Sequence, residues 1–354
     1  MRHRPRTPLA VTLGDPAGIG PELILRAWLD ARGKGGAAFA AVADAPFLSR
    51  VATSLHLDVP VRVSTPAEAA DVFKTALPVI DLGHPIEAKP GAPSRANGAA
   101  VLASIEQAVR LVHDSECSAV VTSPIAKHVL RESGFHFAGH TDYLGALASE
   151  LWGRPATAVM LLWSEALAVV PVTVHVPLAD VPRLLTTDLL VETGRIVAHD
   201  LRDRFGIAKP RLAIAGLNPH AGESGMLGFE EQEVIAPAID ILRAEGIAAS
   251  GPYPADTMFH AQARQGYDVV LAMYHDQALV PIKTLAFDEA VNVTLGLLLV
   301  RTSPDHGTAF DIAGKGEARP DSFIAALNLA DRLARVQSAA ETGRSAKTPA
   351  TSAP

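Results

Sequence analysis

The sequence predicts an α/β protein with mostly parallel strands, folded as two domains. Three observations carry that expectation. Short aliphatic or β-branched runs alternate with helical stretches, the pattern of strands joined by crossover helices. The 354 residues exceed the roughly 100–200 of a typical domain. Hydrophobic residues make up 48% of the chain but aromatic ones only 5%, so the core is aliphatic, which suits buried parallel strands under Ala- and Leu-rich helices.

The elements follow in order. A first strand, LAVTLG (9–14), runs into a Gly-Pro loop and a helix at PELILRAWLD (21–30). Pro21 sits in the first turn, where its missing N–H is not needed. Strands AAFAAVAD (37–44) and VRVS (61–64) come next, then a helix GAAVLASIEQAVRLVHD (98–114) and a strand SAVVTSP (118–124). GHTDYLG (139–145) reads as a turn entering a helix that Thr141 or Asp142 can cap. AVMLLW (158–163) and LAVVPVTVH (167–175) flank a WSEA turn and read as an antiparallel hairpin. A helix over 181–205, a strand RLAIAGLNP (211–219) and a helix FEEQEVIAPAIDILRAEG (229–246) precede three strands, DVVLAMYH (268–275), AVNVTLG (290–296) and LLLVRTS (297–303).

No linker marks a domain boundary, so the chain is expected to cross between domains more than once. The expected division is 8–137 with 295–337, a cofactor-side domain, and 138–294, a domain for metal, substrate and dimerisation. The tail 338–354 is small, polar and Pro-containing, and is expected to be disordered.

Composition excludes several classes. A net charge of −7 argues against a nucleic-acid binder. The single cysteine, Cys117, excludes an internal disulfide and a Cys-rich zinc site, and fits a reducing compartment. The basic start leads at once into the Gly-Pro loop, so no signal peptide is visible. Ser164, Glu165 and Pro171 interrupt the most apolar stretch, which argues against a membrane span. The expectation is a soluble cytoplasmic protein.

One pattern is repeated. Three apolar strands each run into a histidine near a loop signal: His175, His220 and His275. Ligands of open α/β sheets bind outside the carboxyl ends of strands. Three imidazoles with open positions beside them suit a catalytic divalent ion. Each histidine equally suits a strand cap or a satisfied loop residue, since the separations match no short zinc motif.

Anion binding is the second question. VTLGDPAGIGPE (11–22) joins strand to helix, and such a helix start can hold an anion, but it has neither a P-loop Lys-Ser/Thr pair nor G-x-G-x-x-G spacing. GKGGAA (33–38) has dinucleotide-like spacing but follows a helix and precedes a strand, the wrong order. Lys283, Asn292 and Arg301 surround two late strands and supply charge and neutral donors suited to phosphate or carboxylate. Each alone also reads as a solvated surface residue.

Taken together, VTLGDPAGIGPE (11–22), GHTDYLG (139–145), LNPHAGESGMLG (217–228), GPYPADTMF (251–259), AMYHDQALVPIK (272–283), NVTLG (292–296) and RTSPDHGTAFDIAG (301–314) resemble the 4-hydroxythreonine-4-phosphate dehydrogenase family of pyridoxal phosphate biosynthesis. DHGTAFDIAGKGEARP (305–320) is similar to the nucleotide-binding segment of isopropylmalate and isocitrate dehydrogenases. The resemblance implies their two-domain α/β fold with a central cleft, and a homodimer with the active site at its interface. It implies a small phosphorylated amino-acid substrate, 4-phosphooxy-L-threonine, oxidised and decarboxylated to 3-amino-2-oxopropyl phosphate, CO2 and NADH. It implies NAD (or NADP) and one divalent ion per subunit, Zn, Mg, Mn or Co.

By the same resemblance His175, His220 and His275 bind the metal, and His140, Thr141, Lys283, Asn292 and Arg301 bind substrate. His306, Gly307, Thr308 and Asp311 are the expected adenosine-side contacts, with a plain structural turn as the alternative. Lys283 and Asp276 are the candidate bases. SGMLG (224–228) and LLLVRTS (297–303) depart from the family pattern without touching an expected ligand, which leaves room for a sister substrate. Such a substrate would be a threonate or erythronate 4-phosphate, or an aromatic cis-dihydrodiol. A three-histidine hydrolase or aldolase without a nucleotide is the reading from another class.

Overall fold

The computed structural model describes residues 7–345 apart from 35, 133 and 138. The chain divides into two compact units, one of residues up to 158 with 297–332, the other of 159–296 with the described residues from 333 onward.

The described residues of the first unit form six strands, β1 (Leu9–Thr12), β2 (Phe39–Ala43), β3 (Val61–Val63), β4 (Leu77–Asp81), β5 (Val120–Val121) and β12 (Arg301–Pro304). They lie in the order β3-β4-β2-β1-β5-β12, and the β3/β4, β4/β2, β2/β1, β1/β5 and β5/β12 pairs are parallel. The helices are α1 (Gly20–Lys34), α2 (Ala45–Ser54), α3 (Pro66–Val72), α4 (Gly98–His113), α5 (Lys127–Glu132) and α6 (His140–Trp152). β1 and β2 are buried along their whole length, as parallel strands covered on both faces must be. Trp28 on α1 is fully buried and donates its indole N–H to the Phe73 carbonyl at 3.0 Å. A Trp28→Ala change would remove that anchor at a cost of ~3–5 kcal/mol.

The expected boundary near residue 137 lies instead at 158. The reason is α6: Tyr143, Leu144, Leu147 and Ala148 join Val101, Ile105 and Ala108 of α4 in one core cluster. His140 and Thr141 therefore belong to the first unit, not the second.

The second unit has β6 (Val159–Trp163), β7 (Ala168–Pro171), β8 (Arg211–Ala215), β9 (Ala248–Tyr253), β10 (Val269–Ala272) and β11 (Val291–Leu295). Their order is β11-β6-β7-β10-β8-β9. β6 pairs antiparallel with β11 and β7; the β7/β10, β10/β8 and β8/β9 pairs are parallel. The expected hairpin is present, closed by the Ser164 amide on the Leu167 carbonyl at 2.9 Å.

The single helix expected over 181–205 is two, α7 (Val181–Leu184) and α8 (Thr187–Asp203). Leu185 turns extended, and the Thr186 hydroxyl accepts from the Leu189 amide at 3.2 Å, capping the second helix. A π-helical turn, Glu231–Ile235, leads into α9 (Ala236–Ala244), and α10 (His275–Ala286) follows β10. The last helix, α11 (Asp321–Ser345), continues through 338–345, so that part of the expected disordered tail is helical. Its Ala, Leu and Arg content favours continuation; residues 346–354 lie outside the described ones. No helix of the described residues is long and apolar enough to cross a membrane.

Candidate functional site

Each of the three histidines follows a strand of the second unit. His175 lies four residues past the end of β7, His220 five past β8, and His275 three past β10. These strands are adjacent and parallel in the order β7-β10-β8, so all three chains leave the sheet at one carboxyl edge. That is the edge where open α/β sheets bind ligands. The His175 and His275 ring centroids are 5.5 Å apart.

His220 stands on an unusual backbone. His220, Ala221, Gly222, Glu223 and Ser224 all have positive φ, between 43° and 77°. Left-handed conformation costs L-residues ~1–2 kcal/mol each, so surrounding structure must impose it. Buried Glu231 in the π-helical turn braces the segment: its carboxylate accepts from the Asn218 amide at 2.7 Å and the Asn218 side chain at 3.0 Å. π-helical turns recur at functional sites. Gly222 is required here, because a Cβ would lie 2.5 Å from a Glu231 oxygen.

The donor set suits a divalent ion in its chemistry. The Glu223 carboxylate contacts His220 Nδ1, and an Asp276 oxygen lies 3.5 Å from His275 Nδ1. Metal-ligating imidazoles generally point the second ring nitrogen at such a group, which leaves Nε2 for the ion. The Glu223 contact also holds His220 above the usual imidazole range. Within one chain, no group of three or more His, Cys, Asp or Glu among the described residues gathers closely enough to hold an ion. His175 and His275 are brought together; His220 does not close the set. Asp276 and Lys283 both lie on α10, with the Lys283 amino group 6.0 Å from the Phe287 ring centroid. Asn292 on β11 has a buried Oδ1 without a hydrogen-bond partner.

A second cluster lies in the first unit, around Arg301 at the start of β12. Arg301 is 3% exposed and donates to Thr122 Oγ1, its Nε at 3.1 Å. Burial pushes its guanidinium down to about 10. His140 opens α6; burial, then the charges of Arg301 and Lys127, push its imidazole well below the usual range, so it is neutral at pH 7. Its Nε2 and the Ser123 hydroxyl are buried without hydrogen-bond partners. A Cβ on Gly139, the residue before α6, would lie 3.2 Å from Lys127 Nζ. Two cations, an imidazole and the amino end of a 13-residue helix make a site for an anion. Lys127, Thr122 and Ser123 were not singled out from the sequence; their place just past a buried strand, SAVVTSP, was the available signal.

The expected adenosine-side residues lie in the first unit. The Thr308 carbonyl accepts from the Ile19 amide at 3.0 Å, and a Cβ on Gly18 would lie 2.8 Å from it. The 306–311 segment is thus packed on the loop after β1, and nothing lies within 4 Å of a Cβ built on Gly307. Nearby, a cavity of about 1010 Å³ opens among that loop, α2 and residues 81–90, lined by Gly18, Asp44, Phe47, Asp81 and Gly314; His306, Gly307, Thr308 and Asp311 do not line it.

Comparison with known proteins places the chain. Residues 37–330 match the model of the family described as pyridoxal phosphate biosynthetic protein PdxA. A relative from Methylorubrum populi named 4-hydroxythreonine-4-phosphate dehydrogenase is 59% identical over 330 residues, 93% of this chain and 95% of its own. The crystal structure of the Klebsiella pneumoniae protein of that name superposes with a TM-score of 0.81 at 36% identity, over 93% of this chain and 99% of that one. A terephthalate 1,2-cis-dihydrodiol dehydrogenase from Burkholderia xenovorans gives 0.63 at 28% identity, over 92% of this chain and 98% of that one. Together with the strands of both units and the histidine edge, these matches show that the chain belongs to the PdxA family of pyridoxal phosphate biosynthetic proteins, oxidoreductases named 4-hydroxythreonine-4-phosphate dehydrogenases.

Proposed function

We propose that the protein oxidises 4-phosphooxy-L-threonine with NAD, giving 3-amino-2-oxopropyl phosphate, CO2 and NADH on the route to pyridoxal phosphate. The observation that carries this reading is the delivery of His175, His220 and His275 to one carboxyl edge by three adjacent parallel strands.

In this reading the three imidazoles hold a divalent ion, with the set completed when two copies of the chain pair. Exposed apolar side chains in this unit support the pairing: Met226 and Phe229 follow β8, and Val280 and Phe287 lie on or next to α10. The ion would supply Lewis acidity toward the substrate oxygens, and NAD, held at the 306–311 segment, would supply the hydride acceptor. Arg301, His140 and Thr141 take the substrate's phosphate; neutral His140 serves as a hydrogen-bond donor or acceptor rather than as a charge. Lys283 and Asn292 bind substrate as well, and the buried Asn292 Oδ1 is ready to accept from a substrate amine or hydroxyl. Asp276 sits beside the metal ligand, its oxygen 3.5 Å from His275 Nδ1, and in this reading Lys283 is the proton acceptor.

The test is absorbance at 340 nm with 4-phosphooxy-L-threonine and NAD, run with and without a chelator. Chelator-sensitive NADH formation is expected. Turnover of threonate 4-phosphate or a cis-dihydrodiol in place of phosphothreonine would refute the substrate. No turnover with any of them would refute the reading.

A further inference from the structure

A hydrogen-bonded chain, continuous across the three histidine-bearing strand ends, is left unused by the chemistry above. The Thr173 hydroxyl, two residues before His175, donates to the Met273 carbonyl at 2.7 Å. The Met273 amide, two residues before His275, donates to Gln277 Oε1 at 2.6 Å. Gln277 Nε2 donates to the Gly216 carbonyl at 2.8 Å, at the end of β8. Gly216 in turn packs on the left-handed segment, where a Cβ would lie 2.9 Å from Ala221 Cα, next to His220. Thr173, Met273 and Gln277 are all buried, at 5%, 0% and 9% exposure.

Sheet hydrogen bonds alone do not fix these turns. β7, β10 and β8 end at Pro171, Ala272 and Ala215, so each histidine lies three to five residues beyond the last strand residue. Past that point the ladder continues only for a residue or two, with the Val172 and Thr173 amides on the Ala272 and Met273 carbonyls at 2.8 and 3.3 Å and the Gly216 amide on the Tyr253 carbonyl at 2.8 Å, so side chains must carry the order on toward the histidines. Buried side-chain amides and hydroxyls are retained where their hydrogen bonds are satisfied. Here one glutamine satisfies an amide of one turn and a carbonyl of the next. Gln277 does so from α10, which begins at His275 itself.

We infer that Thr173 and Gln277 are positioning residues that hold in place the three strand-end turns carrying His175, His275 and His220, so that each turn presents its imidazole to the ion completed by the paired copy. The inference rests on the reading of those histidines as metal ligands. Groups that orient metal ligands from behind are typically worth 10–100-fold in affinity.

The experiment uses full-length protein stripped of metal and titrated with Co2+ against a chromophoric chelator, with the visible spectrum recorded. T173V removes the hydroxyl and keeps the shape; T173S keeps the hydroxyl. Q277M removes both bonds, while Q277E keeps the acceptor for Met273 and loses the donor to Gly216. The expected result is a 10–100-fold weaker Co2+ affinity and a shifted visible band for T173V and Q277M. T173S should bind within about threefold of wild type and Q277E should fall between. If T173V and Q277E bind Co2+ as the wild type does, with an unchanged band, the inference is overturned even where Q277M fails to fold. A wild type that binds no Co2+ would overturn the ligand reading beneath it, a distinguishable failure.

Discussion

Replacing Arg301 with methionine should stabilise the ligand-free protein and abolish its response to phosphate. The guanidinium is 3% exposed, and burial lowers it from the usual guanidinium range to about 10. At ~1.4 kcal/mol per pH unit, that drop means the fold carries the buried charge at a cost of ~3 kcal/mol. Methionine has a similar reach and no charge. The change leaves Thr122 Oγ1 without its two Arg301 donors, a loss of ~2 kcal/mol at ~1 kcal/mol for each bond. Over these terms the balance is a gain of ~1 kcal/mol, in the direction seen when buried charge is replaced by apolar side chains. Urea unfolding with and without inorganic phosphate measures both effects. Wild type should gain ~3 kcal/mol at phosphate one hundred times its dissociation constant; the variant should gain nothing. An R301M protein less stable than wild type without phosphate, or one that still responds to phosphate, would refute the argument.

Three more outcomes follow from the same structure. His140 is neutral when folded, whereas an unfolded imidazole binds a proton near pH 6.5, so stability should fall as pH drops below ~6.5, by up to ~1.4 kcal/mol per pH unit. H140Q should flatten that fall by the same amount in urea titrations from pH 7 to 5. Gly14 has φ +73°, and a Cβ there would lie 2.6 Å from Ser123 Cβ and 2.7 Å from the Pro124 carbonyl, so Gly14→Ala should cost ~2–4 kcal/mol in denaturant midpoint. Cys117 is 2% exposed, and burial pushes its thiol up to about 12, so it should react with a thiol reagent only once the protein is unfolded.

Much of the architecture was legible because buried parallel strands are written as unbroken aliphatic runs. LAVTLG, RLAIAGLNP and DVVLAMYH each contain the strand expected of them. The strand ends were legible too, since a histidine after such a run has little choice but to lie at the carboxyl edge. Two strands were missed. β4, LPVID, carries Pro78, and β9, AASGPY, carries Gly251 and Pro252, residues that weaken a strand signal; neighbouring strands, not their own propensity, hold them in the sheet. The unit that owns α6 was illegible because its helical pattern shows an apolar face without naming the face it meets. The left-handed segment at His220 was illegible for a related reason. Only one of its five residues is glycine, and the conformation is imposed by Glu231, eleven positions away. Lys127 is lost among other surface lysines until the fold sets it against Gly139.

The claim on which all of this chemistry turns is that three imidazoles grip one cation. Metal content of stripped and reloaded protein, measured for wild type and for H175A, H220A and H275A, tests it directly. One ion per chain in the wild type, lost or weakened at least tenfold in every variant, is the predicted result. Any one of the three variants that retains its ion at wild-type affinity would contradict it.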